Sequence, residues 1–182
     1  MAPGFPIRLN GVIIRTSEAL YQACRFPHLP RVQRQTIEER SPMTAKMRSK
    51  PFRKDSRPDW NNVRIRVMRW CLQVKLAQNW EEFGKTLLAT GERPIVEQSH
   101  KDDFWGAKLA GDGSLVGMNV LGRLLMELRE QLNGDDPESL RSVPPLPIPE
   151  FFLYEEPIET VHADKEPAHA ADVDSQSSGD CL

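Results

Sequence analysis

The sequence predicts a mainly helical α+β domain, a compact orthogonal arrangement of helices with a short N-terminal hairpin and a small sheet. Residues 61–78 carry apolar side chains at helical spacing, residues 121–132 carry a stripe of leucines, and Asn10-Gly11 separates two short apolar runs. The chain has 182 residues, of which 39% are hydrophobic. That is enough to bury one core, so a single domain is expected.

The first elements are a hairpin and a helix. An Asn-Gly pair between apolar runs is a strong signal for a two-residue turn, so residues 5–15 are predicted to form a β-hairpin. Thr16 or Ser17 then caps a helix that continues to Arg25 and stops near Pro27.

Two short helices are predicted next, at residues 31–40 and 42–49. Ser41 followed by Pro42 is typical of the start of the second one, because Pro is well tolerated at the first helical position. Residues 50–60 are predicted to form a loop.

The longest helix is predicted at residues 61–78 and should be central to the fold. Its apolar residues fall on one stripe: Val63, Val67, Trp70, Cys71 and Val74. A helix at 80–89, a short strand at 94–99 and a glycine-rich loop from 106 to 117 are predicted to follow. The last helix should end at Asn133-Gly134, a typical C-terminal cap.

These elements assign residues 1–134 to the domain and residues 135–182 to a proline-rich, then acidic, mostly disordered tail. Residues 144–149 have a polyproline-type composition, and the chain from about residue 160 onward has little to bury. Residues 151–154 are aromatic or apolar and are candidates for docking on the body.

The formal net charge of -2 combines two regions of opposite charge. Residues 1–134 carry 22 Lys and Arg against 14 Asp and Glu, whereas from Glu150 onward nine acidic residues face one lysine. The basic surplus lies in residues 31–69, with 12 basic against 4 acidic side chains. This cluster favours an anionic partner such as phosphate or a nucleic-acid backbone. A merely solvated basic face is the alternative.

Cysteine, histidine and hydropathy patterns exclude several classes of protein. Cys24, Cys71 and Cys181 form no CxxC or metal-binding spacing, and an odd count without a secretory leader indicates a reducing compartment, so a cytoplasmic protein is expected. No apolar run approaches the ~20 residues that span a bilayer, so no membrane partner is predicted. The four histidines lack metal-ligand spacing, and neither a metal nor a cofactor is predicted.

Three local constellations could carry chemistry. In residues 16–22 a carboxylate, Glu18, lies one helical turn from polar and aromatic neighbours, although a first-turn Glu also suits the helix dipole. Residues 102–106 combine acids with Trp105, which suits binding of a flat ring, although a core tryptophan is the alternative. Residues 117–122 place Gly and Asn at a helix start, where an anion could bind or an ordinary cap could form.

Read in order, these segments resemble the NADAR (YbiA-like) family. The resemblance covers about residues 5–132, and the matching strings are residues 16–23, Ala45-Lys46, 57–60, Met68, Lys75, 89–91, 95–97, 102–106 and 117–122. It implies a YbiA-like, mostly helical N-glycosidase. One branch of the family acts on early riboflavin-pathway ribosylamine phosphates, and another removes ADP-ribose from guanine bases in nucleic acid.

Residues 19–27 and 41–47 resemble the second, antitoxin branch more closely. The resemblance then implies ADP-ribosylated nucleic acid, linked through guanine, as substrate and a DarT-type ADP-ribosyltransferase toxin as functional partner. The alternatives are an N-glycosidase of the riboflavin pathway and a non-catalytic ADP-ribose-binding module.

Roles for individual residues follow from the same resemblance. Glu18 matches the family's active-site glutamate, and Lys46 matches a lysine of an Ala-Lys pair. The implied substrate-binding set is Trp60, Trp105, Asp102, Asn119, Gly122, Tyr21, Arg57 and Lys75. Cleavage of a ribose C1–N bond develops positive charge that a carboxylate can stabilise. Alternatively Lys46, made nucleophilic by burial beside Arg48, could capture the opened C1 aldehyde as a Schiff base, with Lys75 as second choice.

Overall fold

The structure, a computed structural model, describes residues 4–163 and confirms the predicted mainly helical α+β class. About half of this range is helical. The six α-helices are α1 (Ser17–Ala23), α2 (Pro30–Ile37), α3 (Pro42–Ser49), α4 (Trp60–Gln78), α5 (Trp80–Leu88) and α6 (Val120–Leu132). The strands are β1 (Ile7–Leu9), β2 (Val12–Ile14), β3 (Lys108–Leu109), β4 (Leu115–Val116), β5 (Ser142–Val143), β6 (Phe152–Leu153), β7 (Glu156–Pro157) and β8 (Val161–His162).

Helix α4 is the centre of the fold, as its apolar stripe predicts. It contacts α1, α5 and α6. Four residues of the stripe are at most 1% exposed and therefore belong to the core: Val67, Trp70, Cys71 and Val74. The leucines of α6 pack into the same core.

The N-terminal hairpin forms through the predicted turn. Strands β1 and β2 pair antiparallel, with Ile7 opposite Ile14, and both residues are buried. Asn10 and Gly11 have φ angles of 47° and 75°. Positive φ at both central positions is the conformation that favours Asn-Gly in a two-residue hairpin.

Helix α3 begins as predicted, with Ser41 as cap and Pro42 at the first position. The Ser41 hydroxyl accepts a hydrogen bond from Thr44 N at 3.1 Å, and the Thr44 hydroxyl accepts one from Ser41 N at 3.3 Å. This reciprocal pair satisfies two backbone donors at the helix start. The predicted loop at 50–60 is wrong in part, because residues Lys50–Asp55 form a 3₁₀ helix.

The predicted strand at 94–99 is also wrong. Only one bridge forms there, between Gln98 and Ala107. The Asn119 side chain replaces a partner strand: its Oδ1 accepts from Glu97 N at 3.0 Å and its Nδ2 donates to the Ile95 carbonyl at 2.8 Å. A single amide side chain therefore satisfies backbone groups that a strand ladder would otherwise pair.

The packed body extends beyond the predicted boundary at Gly134. Strand β5 pairs with β8, β6 pairs with β7, and residues 151–154 dock as predicted, with Phe151 buried against Trp70 at a ring-centroid distance of 4.9 Å. The first part of the predicted 135–182 tail, up to Ala163, is thus part of the body. The acidic remainder, residues 164–182, lies outside the described residues.

No helix among residues 4–163 is both long and apolar enough to cross a membrane.

Candidate active site

A pocket of about 380 Å³ opens between α1, α3, the start of α4 and the loop that precedes β3. It has an acidic side, an aromatic wall and a basic side. The residues with these properties are Glu18, Glu97, Asp102, Tyr21, Trp60, Phe104, Trp105, Lys46, Arg25, Arg53 and Arg64. Six of these eleven charged or aromatic residues are among the ten predicted site residues, and the other five were not predicted.

Helix α1 supplies the acidic end of the pocket. Thr16 caps it by accepting a hydrogen bond from Ala19 N at 3.1 Å, so Glu18 lies in the first turn. Tyr21 and Gln22 follow at i+3 and i+4, the spacing that places side chains on one face of a helix. Both of them line the pocket with Glu18.

Glu18 is held by a chain of side-chain hydrogen bonds. Gln22 Nε2 donates to Glu18 Oε1 at 2.9 Å, and Gln22 Oε1 accepts from the Ser49 hydroxyl at 2.9 Å. Burial raises the pKa of the Glu18 carboxyl above its usual value of 4.5, although the Gln22 hydrogen bond and the charge of Lys46 act in the opposite direction. A fixed carboxyl with a raised pKa suits general acid–base work near neutral pH.

The aromatic wall is built on Tyr21. Its ring centroid lies 5.0 Å from that of Trp60 and 5.6 Å from that of Trp105. Burial and the negative charge of Glu18 raise the pKa of the Tyr21 hydroxyl well above its usual range, so the phenol stays protonated. The wall offers flat apolar faces beside a hydroxyl donor, which suits a nucleobase or a sugar ring.

Lys46 and Asp102 both line the pocket and form an ion pair. Lys46 Nζ lies 3.8 Å from Asp102 Oδ2. Asp102 also accepts hydrogen bonds from Phe104 N at 3.1 Å and Trp105 N at 2.9 Å, and so orients the tryptophan. The reason given for a nucleophilic Lys46 is wrong: its side chain is 49% exposed, and Arg48 pairs with Glu39 at 2.8 Å instead.

Two predicted binding residues lie outside the pocket because other groups hold them. Arg57 is buried; its Nε donates to Asp59 at 2.6 Å, and its Nη2 donates to the Pro149 carbonyl. Lys75 is 3% exposed, and its Nζ lies against the rings of Phe5 and Phe83, 4.3 and 4.0 Å from their centroids. Neither side chain lines the pocket.

Asn119 and Gly122 also act behind the pocket wall. Asn119 takes the left-handed conformation, with φ 48°, at the start of α6 and holds the 95–97 segment. Gly122 faces the same segment, and a Cβ there would collide with the Ile95 carbonyl oxygen. Both residues position the pocket wall, which carries Glu97, rather than lining the pocket.

Sequence spacing could have identified one of the missed residues. Arg64 lies four residues after Trp60, so both fall on the pocket-facing side of α4. Arg25 lies in the turn after α1, where helical spacing does not apply. Glu97 gave no comparable signal because it lies in an irregular segment. Among residues 4–163, no group of three His, Cys, Asp or Glu side chains could hold a metal ion.

Comparisons with known proteins identify the chain's relatives. N-glycosidase YbiA of Escherichia coli K12 is 41% identical over 133 residues, which cover 70% of this chain and 76% of that protein. A riboflavin biosynthesis protein of Vibrio vulnificus is 37% identical over 134 residues, 74% of this chain but only 35% of that protein, so the chain spans about a third of this relative. A chloroplastic riboflavin biosynthesis protein of Zea mays is 35% identical over 133 residues, 68% of this chain and 20% of that protein.

A solved structure supports the fold assignment. The NMR structure of the E. coli protein YbiA matches with a TM-score of 0.59 and 37% sequence identity, covering 74% of this chain and 75% of that one. The family model named NADAR domain matches residues 3–133, most of the chain. The chain therefore belongs to the NADAR domain family.

Proposed function

We propose that the chain is an N-glycosidase, a hydrolase that breaks the bond between C1 of a ribosyl group and a nitrogen atom. The observation that carries this proposal is the Glu18 carboxyl, fixed by Gln22 within a pocket whose wall is aromatic. Positive charge that develops on C1 is stabilised by a nearby carboxylate. The names of the YbiA relatives, which are N-glycosidases, support the same reaction class.

Glu18 can serve both halves of such a reaction. In its protonated form it donates a proton to the leaving nitrogen while the C1–N bond breaks. A water molecule then adds to C1 and returns its proton to the Glu18 carboxylate. The products are a ribosyl group with a hydroxyl on C1 and a base with a restored N–H.

For the substrate, we propose ADP-ribose linked to guanine in nucleic acid, which makes the chain an antitoxin to an ADP-ribosyltransferase toxin. The basic surplus of residues 31–69 supports this substrate, because Lys46, Arg53 and Arg64 belong to that segment and line the pocket. Clustered cations beside the pocket would bind the phosphate backbone that flanks a modified base.

The test uses an oligonucleotide that carries ADP-ribose on guanine. The wild-type chain should release ADP-ribose and leave an unmodified oligonucleotide, as seen by mass spectrometry. Glu18→Gln, which keeps the size and the hydrogen bond to Gln22, should release at least about 100-fold less. Absence of release by the wild type would contradict the proposal, and equal release by the variant would remove Glu18 from the mechanism.

A ribosylamine phosphate of the riboflavin pathway is the second candidate substrate. The names of the Vibrio and Zea relatives, both riboflavin biosynthesis proteins, favour it. Glu18-dependent turnover of this intermediate, with no turnover of the modified oligonucleotide, would select the second candidate. Binding of ADP-ribose without turnover of either substrate would indicate a binding module.

A separate experiment tests whether Lys46 forms a covalent bond to C1. In this mechanism the Lys46 amine attacks C1 of the ribosyl group, the C1–N bond breaks and the base leaves with a proton. The ribose ring then opens to give an imine between C1 and Lys46, which water hydrolyses during turnover and which borohydride reduces to a stable secondary amine. If Lys46 is the nucleophile, reduction during turnover should add the mass of the ribosyl group to the peptide that contains Lys46, and Lys46→Arg should abolish the adduct. An unlabelled peptide during active turnover would leave hydrolysis by water as the mechanism.

A further inference from the structure

The basic side of the pocket contains three arginines without an acidic partner. Arg25, Arg53 and Arg64 line the pocket. Among residues 4–163, none of the ion pairs involves these three guanidinium groups. Three like charges on one wall repel each other and are stabilised when an anion binds between them.

Neighbouring groups hold Arg25 and the turn that carries Arg53 together. Arg25 Nε donates to the Ser56 hydroxyl at 2.6 Å, and that hydroxyl donates to the Arg53 carbonyl at 2.6 Å. The Arg25 guanidinium also lies 5.2 Å from the centre of the Trp60 ring. Burial and the charges of Arg53 and Arg64 lower the pKa of Arg25, which indicates that the cluster is crowded with positive charge.

Arg64 is held by the aromatic residue Phe104. Its guanidinium lies 3.9 Å from the centre of the Phe104 ring, and Phe104 packs edge-on against Trp105 at 5.1 Å. The Nε of Arg64 is buried without a hydrogen-bond partner among the described residues. An arginine that stacks on a ring and keeps donors unused is well suited to bind a phosphate oxygen.

We infer that Arg25, Arg53 and Arg64 form a binding site for the 5′-phosphoryl group of the ribosyl substrate. This inference rests on the proposed N-glycosidase function. It adds the orientation of the ribosyl group in the pocket. The 5′-phosphoryl group is common to a ribosylamine phosphate, where it is a monoester, and to ADP-ribose, where it is part of a diphosphate.

The order of residues along the chain fits this orientation. Glu18 lies in the first turn of α1, and Arg25 lies in the turn that follows the end of the helix at Ala23. Tyr21 lies between them, and its hydroxyl feels the negative charge of Glu18 as well as the positive charges of Arg64 and Arg25. A ribosyl group with C1 at Glu18 and its ring against Tyr21 therefore directs its 5′ end toward the arginines.

The experiment measures binding by calorimetry, with ribose, ribose 5-phosphate and ADP-ribose as probes. Each test variant has a neighbouring control that removes the same charge outside the pocket: Arg64→Gln with Arg66→Gln, and Arg53→Gln with Lys54→Gln. Each test variant should bind both phosphorylated probes about tenfold or more weakly, because a charge-assisted hydrogen bond is lost. The controls should change affinity less than about twofold, and added salt should weaken wild-type binding of the phosphorylated probes.

Equal affinity of wild type and both test variants for ribose 5-phosphate and ADP-ribose would overturn the inference, provided that thermal unfolding shows folded variants. So would a wild type that binds ribose as tightly as ribose 5-phosphate. ADP-ribose bound no tighter than ribose 5-phosphate would support a site for a single phosphate, whereas tighter binding would support a diphosphate site.

The two proposals can fail separately. If the wild type releases ADP-ribose from the oligonucleotide but Arg64→Gln and Arg53→Gln leave affinity and KM unchanged, the phosphate site is wrong and the glycosidase stands. If these variants lose affinity while the wild type turns over neither candidate substrate, the phosphate site stands and the glycosidase is wrong.

Discussion

The Glu18 carboxyl couples the chemistry of the pocket to the stability of the fold. Because its folded-state pKa is raised above 4.5, the folded chain holds a proton that the unfolded chain releases once the pH exceeds that value. This residue's contribution to stability is therefore present at low pH and is lost as the pH rises through the raised pKa. At neutral pH and above, the buried Glu18 carboxyl lowers the stability of the fold, as is common for reactive groups in active sites.

Glu18→Gln should therefore be more stable than the wild type at pH 8, and this advantage should shrink near pH 4. Comparing variant and wild type at each pH cancels the titration of all other groups. Thermal unfolding at the two pH values measures the difference directly. If the difference in melting temperature between Glu18→Gln and the wild type is the same at pH 4 and pH 8, folding does not raise the pKa of Glu18.

Lys75 is a second buried ionisable group, and the stability that it affects changes with pH in the opposite direction to that of Glu18. Burial lowers its pKa from 10.5 to about 8, so between these values the unfolded chain binds more protons and stability rises with pH. The burial cost near pH 7 is about 3 kcal/mol. Contacts of the ammonium with the Phe5 and Phe83 rings offset about 1–2 kcal/mol of it.

Lys75→Met, which keeps an unbranched side chain and removes the charge, should raise the free energy of unfolding by about 1–3 kcal/mol at pH 7. At pH 10 the gain should largely vanish, because the folded wild type then buries a neutral amine. Denaturant unfolding at both pH values tests this. Lys85→Met on the neighbouring helix is the control and should give no comparable pH-dependent gain.

At the scale of elements, the start of α6 sets the position of one pocket wall. Gly122 allows the 95–97 segment to approach the helix, and Asn119 binds that segment through two hydrogen bonds. Gly122→Ala should destabilise the fold by about 1–3 kcal/mol, since the new methyl group meets a backbone carbonyl that cannot move cheaply.

Gly111 provides the matched control. A Cβ at that position has open space around it, so Gly111→Ala should leave stability and affinity near wild type. If Gly122→Ala also displaces Glu97, affinity for ADP-ribose should fall in the folded fraction, as calorimetry would show. Equal stability of the two alanine variants would contradict the close approach.

The elements that the sequence predicts correctly are those whose signals are local. Helical stripes and capping residues fix α1, α3, α4 and α6 to within about two residues at most ends, because each signal lies within a few positions along the chain. The segment at 94–99 has a strand-like composition, but a strand needs a partner that local sequence does not reveal. Its backbone groups are bound by Asn119, more than 20 residues away.

The pocket residues likewise divide into those that local sequence predicts and those that depend on tertiary packing. Glu18, Tyr21 and Gln22 share one face of α1, so helical spacing along the sequence predicts that they lie together. The contacts of Lys46 with Asp102 and of Arg64 with Phe104 join segments far apart in the chain and depend on tertiary packing. The family resemblance supplied Lys46 and Asp102, whereas Arg25 and Arg53 were identified as pocket residues only by the structure.

At the scale of the whole molecule, the segment after α6 completes the core. The Trp70 indole nitrogen donates to the Pro144 carbonyl at 2.9 Å, and its ring packs against Phe151. Further along, the Gln33 side chain donates to the Phe152 carbonyl and accepts from Tyr154 N. The segment thus crosses α4 and α2, although the family match ends at residue 133.

Ending the chain after Gly134 should therefore destabilise the body, even though it keeps the whole family match. The truncation removes Phe151, Leu153, Ile158 and Val161 from the core and uncovers Trp70. The loss should be at least about 3 kcal/mol, the usual cost of deleting one large buried aromatic side chain. Ending the chain after Ala163 keeps all of these contacts and is the control. Denaturant unfolding that gives the same midpoint for both truncations would show that residues 135–163 add nothing to the core, and the predicted boundary at Gly134 would then be the correct one.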